Sequence, residues 1–141
     1  MKNVYDITNE FEKRLADYTG APYVVTVDNQ SNALFLSLMY EKIVGQEITI
    51  PARTYPSVPC EIIHAGGKVK FKPVTGNTIK GAYQLQPTNV WDSALSFTAD
   101  MYKSGTHMCI SFTGPYKHFK LSKGGAILTD KLEAYHWFKR V

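Results

Sequence analysis

The sequence predicts an α/β fold, a mostly parallel sheet flanked by helices, and three observations carry that reading. Short β-branched runs alternate with helical stretches through the first half of the chain. Glycine or a glycine pair stops each of those helical stretches, at Gly20, Gly45 and Gly66-Gly67. The 141 residues suffice for one domain with a sizeable core and not for two full ones.

The elements follow in order. Residues 7–19 read as an amphipathic helix, with Phe11, Leu15 and Tyr18 on one face and Glu10, Lys13, Arg14 and Asp17 mostly outside. Gly20 ends it and Pro22 follows. Residues 23–27, Tyr-Val-Val-Thr-Val, have strand composition. Asp28 to Ser31 is turn and cap chemistry, and residues 32–44 then form a helix apolar over most of its circumference. Residues 47–50 are a strand stopped by Pro51. Thr54 is placed to cap a helix over residues 55–65, with Pro56 in its first turn and Pro59 making its start irregular. Residues 68–71 are a further strand. Residues 73–88 carry Pro73, Gly76, Gly81 and Pro87 and give no assignable element. Strands are expected at 89–91, leading to Asp92, at 108–112, and at 124–129 from a glycine pair, with a helix over 131–140.

Composition narrows the classes of function. The net charge is +4, yet the densest basic stretch, Lys68, Lys70 and Lys72, alternates with Val69 and Phe71. That is the pattern of a solvated strand face, and no nucleic-acid motif accompanies it. No apolar run is long enough to cross a bilayer, and Asp6, Glu10 and Glu12 break any secretory pattern, so the expectation is a cytoplasmic protein with no membrane partner. Cys60 and Cys109 are far apart and flanked by apolar residues, which predicts buried, reduced thiols. His64, His107, His118 and His136 have no metal-ligand spacing with them, so no metal site is expected.

Several segments, taken in order, resemble the sugar aminotransferases of the DegT/DnrJ/EryC1/StrS family. They are Tyr18 to Val25 after the opening helix, Asn29-Gln30-Ser31-Asn32-Ala33-Leu34, Pro51-Ala52-Arg53-Thr54-Tyr55, Trp91-Asp92-Ser93-Ala94, Ser111-Phe112, Lys117, and Gly124-Gly125-Ala126. The resemblance implies a reduced version of the large domain of pyridoxal-phosphate (PLP) transferases, with PLP as cofactor. It makes Lys117 the Schiff-base lysine and proton shuttle, and Asp92 the acid that keeps the pyridine nitrogen protonated. Main-chain N–H groups of Gln30 and Ser31 at a helix start would meet the phosphate, with the hydroxyls of Ser31 and Ser111. Tyr55 would stack on the ring.

Each residue also has a plainer explanation. Lys117 could be a surface lysine, with Lys120 and Lys123 as competitors for its role. Asp92 could be a turn residue, Ser31 a simple helix cap, Tyr55 a core aromatic, and Gly124-Gly125 an ordinary turn. The sequence departs from the family pattern at Gln30, where glycine is usual, at Leu95, where a polar residue is usual, and in the spacing from Ser111 to Lys117.

The implied activity is transfer of an amino group from an amino acid donor, often glutamate, to the keto group of a nucleotide-linked sugar. Relatives with histidine in place of the lysine are dehydratases, and His118 adjoins Lys117. The resemblance covers well under half of such an enzyme, so the chain is expected to be a fragment, one half of a split enzyme or a reduced version, and the resemblance implies association as a homodimer or with a complementing C-terminal polypeptide. The alternative is a non-catalytic α/β binding or assembly module derived from the same scaffold.

Overall fold

The computed structural model describes residues 3–74, 81–114 and 120–141. Lys117 and His118 lie outside the described residues.

Helix α1 (Asp6–Thr19) buries Glu12, Leu15 and Thr19 and ends on Gly20, whose φ of 77° is a left-handed cap that glycine adopts without cost. Strand β1 (Tyr23–Val27) follows. Helix α2 (Gln30–Tyr40) starts two residues before the expected point. Asn29 caps it, the side chain accepting the N–H of Asn32 at 2.8 Å. It also ends earlier than expected, and residues 41–46 are a turn passing through Lys42 and Gly45, both at positive φ.

Strand β2 (Glu47–Pro51) leads to helix α3 (Ser57–His64) and strand β3 (Lys68–Lys72). The α3 boundary corrects the expected cap: Pro56, not Thr54, is the N-cap residue. Pro59 is only the third residue of the helix, where its missing N–H has no intrahelical acceptor to lose. Val58 and Ile62, one turn apart, form the buried face of α3. Cys60 lies between them on the opposite side and is exposed, so of the two expected buried thiols only Cys109 is buried. The remaining elements are β4 (Tyr83–Gln84), β5 (Val90–Asp92), β6 (His107–Ser111), β7 (Gly125–Thr129) and α4 (Leu132–Phe138).

Five strands form a sheet in the order β1-β7-β6-β5-β4, and β2 pairs with β3. Reciprocal backbone hydrogen bonds between Thr49 and Gln86, at 2.8 and 3.1 Å, join the two groups into one run, β3-β2-β4-β5-β6-β7-β1. The α/β class with flanking helices stands, and the sheet is mixed. Pairs β2/β3 and β5/β6 are parallel, whereas β1/β7, β6/β7 and β4/β5 are antiparallel. Antiparallel β7 inserts between β1 and β6, and short β4 folds back on β5, which local strand composition does not reveal.

Both faces of the central strands are covered. Val25, Cys109 and Ile127 pack with Leu34, Leu38, Val58, Ile62 and Phe138 from α2, α3 and α4. Val24, Met108, Ile110, Ala126 and Leu128 pack with Leu15 of α1 and with Phe112. Two-sided burial explains why β7 is apolar without alternation. The lysine strand β3 is at the sheet edge, with Lys68, Lys70 and Lys72 exposed and Lys70 3.3 Å from Glu47. Among the described residues, no helix is long and apolar enough to cross a membrane.

Candidate functional site

The C-terminal ends of β5 and β6 meet the N-terminus of α2 at one edge of the sheet. Val27, Gly125 and Ser111 are register partners across β1, β7 and β6, and Asp92 is opposite Cys109, two residues before Ser111. Cys109 packs under α2, its sulfur 3.5 Å from Ser37 Oγ, so the face carrying Cys109 and Ser111 is the α2 face. Gly125 explains how the helix comes so near. A Cβ on it would stand 2.8 Å from Gln30 N and from Ile110 O, a space only glycine leaves open. Gly124 has a φ of 123°, so the glycine pair is required twice, once for conformation and once for space.

Asp92 is the centre of the polar cluster. It is 6% exposed. Its Oδ1 accepts the Gln30 side-chain amide at 2.8 Å and the Ala94 N–H at 2.9 Å, and its Oδ2 accepts the Tyr83 hydroxyl at 2.9 Å. Tyr83 Oη in turn shares a short hydrogen bond with Thr54 Oγ1. Burial first, and the Asp92 charge second, push the Tyr83 hydroxyl well above the ordinary tyrosine range, so it remains a donor at any physiological pH. Burial likewise pushes the Cys109 thiol up to about 12, Asp92 adding to the shift, which keeps it a neutral packing group.

Of the residues singled out from sequence, Gln30 and Asp92 are in direct contact. Ser31 is half-buried in the first turn of α2. Helix geometry leaves the N–H groups of Gln30 and Ser31 without intrahelical acceptors, whereas the Asn29 side chain and carbonyl take those of Asn32 and Ala33. Ser111, also half-buried, exchanges weak hydrogen bonds with Thr113, at 3.3 and 3.4 Å. Tyr55 is not a core residue: it is 73% exposed, in the connection from β2 to α3. Lys117 lies outside the described residues; beside Ser111, Phe112 N donates to Gly124 O and Leu121 N to Phe112 O. Lys120 and Lys123 are exposed.

Sequence reasoning missed Tyr83 and misassigned Thr54. Tyr83 is in a stretch with no periodicity, on a two-residue strand that pairs with Asp92 itself. Thr54 belongs to the quoted Pro-Ala-Arg-Thr-Tyr segment, and it bonds to Tyr83 rather than capping α3. Leu95, at the expected polar position, is half exposed.

Comparison with known proteins places this arrangement. The profile of the DegT/DnrJ/EryC1/StrS aminotransferase family matches residues 1–90. The spore coat polysaccharide biosynthesis protein SpsC of Bacillus subtilis (strain 168) is 35% identical over 71 residues, which are 50% of this chain and 18% of SpsC. A Bacillus cereus ATCC 10987 protein, assigned by its structure's name to the PLP-dependent aminotransferases, superimposes with a TM-score of 0.77 at 19% identity, covering 96% of this chain and 49% of its own. A GDP-4-keto-6-deoxymannose-3-dehydratase with a trapped PLP-glutamate geminal diamine superimposes with a TM-score of 0.71 at 18% identity, covering 95% and 46%. The chain thus spans about half the length of these solved structures, and the likeness to them concerns the fold. With a profile match over most of its length and this sheet beneath it, the chain belongs to the DegT/DnrJ/EryC1/StrS aminotransferase family.

Proposed function

We propose that the chain is the cofactor-binding part of a PLP-dependent aminotransferase that passes an amino group from an amino acid to a keto sugar nucleotide. The observation that carries this reading is Asp92, a buried carboxylate at a strand end facing the start of α2 through Gln30. Open α/β sheets gather ligand groups at that edge. The residues fit the cofactor's pyridine end. Among the described residues, an amide, a phenol and a backbone N–H donate to Asp92 and fix it in position.

PLP supplies, when bound, a ring that accepts the electron pair released at the amine-bearing carbon. Asp92 would hold the proton on the ring nitrogen. The N–H groups of Gln30 and Ser31 and the hydroxyls of Ser31 and Ser111 would meet the phosphate, where the α2 dipole favours an anion. Lys117 would anchor the cofactor and then take and return a proton through its amine. Tyr55, exposed next to Thr54, is a flat side chain available to cover the ring. The keto sugar nucleotide as acceptor, with glutamate as donor, is supported by the family and by the sugar-nucleotide dehydratase that shares the fold. The chain spans about half the length of the solved structures it matches, and assembly of the whole enzyme as a homodimer or with a complementing polypeptide is part of this proposal.

Titration with PLP, borohydride reduction and peptide mapping test the reading. One pyridoxyl adduct is expected, on Lys117, absent in Lys117→Ala and at least tenfold weaker in Asp92→Asn, about the loss of one charge-assisted hydrogen bond. Label spread over Lys120, Lys123 and other exposed lysines would leave the second reading, a non-catalytic module on the same scaffold. The hydrogen bond by which Gln30 already engages Asp92 is the observation that favours it.

A further inference from the structure

We infer that Gln30 is a built-in competitor for the cofactor: its side-chain amide occupies Asp92 Oδ1 in the manner of a protonated ring nitrogen, and a pyridine nitrogen that takes the same oxygen displaces it. This rests on the proposed PLP reading and adds to it a specific determinant of affinity.

The described donors to Asp92 differ in how readily they can leave. The Ala94 N–H is main chain, two residues on from the acid it serves. Tyr83 is on the strand that pairs with Asp92 and is tied at its hydroxyl to Thr54. Gln30 has neither restraint. Its backbone is seated against Gly125, but its carboxamide reaches Asp92 on a chain with three rotatable bonds and is only partly buried. It is also an N–H donor to a carboxylate at 2.8 Å, the chemistry that a pyridinium would offer.

Two linked consequences follow. Without cofactor, the amide stabilises the site and spares a buried carboxylate the loss of a donor. On binding, that same bond must break, so the stabilisation of the empty chain reappears as weakened affinity. Removing the amide should therefore move stability and affinity in opposite directions, which a merely structural role would not do.

The test uses the 141-residue chain and pyridoxamine 5′-phosphate, which has the ring and phosphate but no aldehyde to react with lysines. Gln30→Ala is expected to bind it about tenfold tighter than the unmodified chain, while melting at a lower temperature when ligand-free. In the unmodified chain, the Gln30 side-chain NH2 signals in a 1H–15N spectrum should shift toward the solvent-exposed position as ligand is added. That second measurement stands if the variant fails to fold. Binding by Gln30→Ala that is equal or weaker, or an amide signal unmoved at saturation, overturns the inference and leaves the PLP reading intact. If pyridoxamine 5′-phosphate binds neither protein, both fall together.

Discussion

Three buried ionisable side chains are kept in the fold by three different arrangements. Among the described residues, Asp92 accepts from an amide, a phenol and a backbone N–H. Glu12, 6% exposed, accepts the N–H and hydroxyl of Thr26 and pairs with Lys139 Nζ at 2.6 Å. His107 is fully buried against the rings of Tyr40 and Phe138, and its Nδ1 lies 3.1 Å from Thr129 Oγ1. Burial lowers its pKa to about 4, with Lys131 also lowering it, against the opposing pull of Glu41, whose Oε1 is 3.3 Å from Nε2. The folded chain therefore resists protonation at a pH where the unfolded chain accepts it. The stability linked to His107 is complete above about pH 6.5 and is lost as pH falls toward 4. Urea unfolding should show the chain losing on the order of 2 kcal/mol more between pH 7 and pH 4.5 than His107→Gln does. The order of its motif is what singled out Asp92 in the sequence. Neither Tyr83 nor the seclusion of His107 was legible there, because both depend on which strands become neighbours.

At the scale of elements, the helix and strand positions were mostly readable, since period and stop signals are local properties. The failures share a cause. Thr54 has good cap chemistry, but Tyr83 offers its hydroxyl a partner across the fold, and α3 starts beyond it. Cys60 has apolar neighbours in sequence, but the helix turns it away from the face that Val58 and Ile62 bury. Gly125 shows the converse, a residue whose two explanations, turn or close approach, only packing could separate. Because the atoms its Cβ would meet are backbone, they have no rotamer by which to yield. Gly125→Ala should cost about 2 kcal/mol or more and lift the start of α2 from the sheet. Thermal melting would register the first effect, and faster amide hydrogen exchange in the first turn of α2 the second. An unchanged melting temperature would mean that α2 is not seated on Gly125.

Among the described residues, a five-stranded mixed sheet, joined to β2 and β3 through Thr49 and Gln86, has α1 and the other helices on opposite faces, and its polar edge collects residues more than 60 positions apart, as Gln30 and Asp92 are. A ligand bound at that edge would touch α2, β5 and β6 together, so its binding energy should be felt by the entire fold rather than by one loop. Pyridoxamine 5′-phosphate at a hundred times its dissociation constant should stabilise the chain by about 2.7 kcal/mol, read as a rise in melting temperature. Asp92→Asn, at least tenfold weaker in binding, should lose about half of that rise or more at the same ligand concentration. A ligand that leaves the melting temperature unchanged while saturating would be bound to the unfolded chain equally well, and not to this edge.

From its own letters the sequence determined the α/β class, nearly every strand, the helix stops, and the motif order that marks the family, because each depends on residues a few positions apart. Tertiary structure alone decided that β7 runs antiparallel between β1 and β6, that Tyr83 and Thr54 join the Asp92 cluster, and that Gln30 reaches the acid. Strand neighbours and side-chain partners are chosen by burying both faces of one sheet at once, and that choice involves the entire chain.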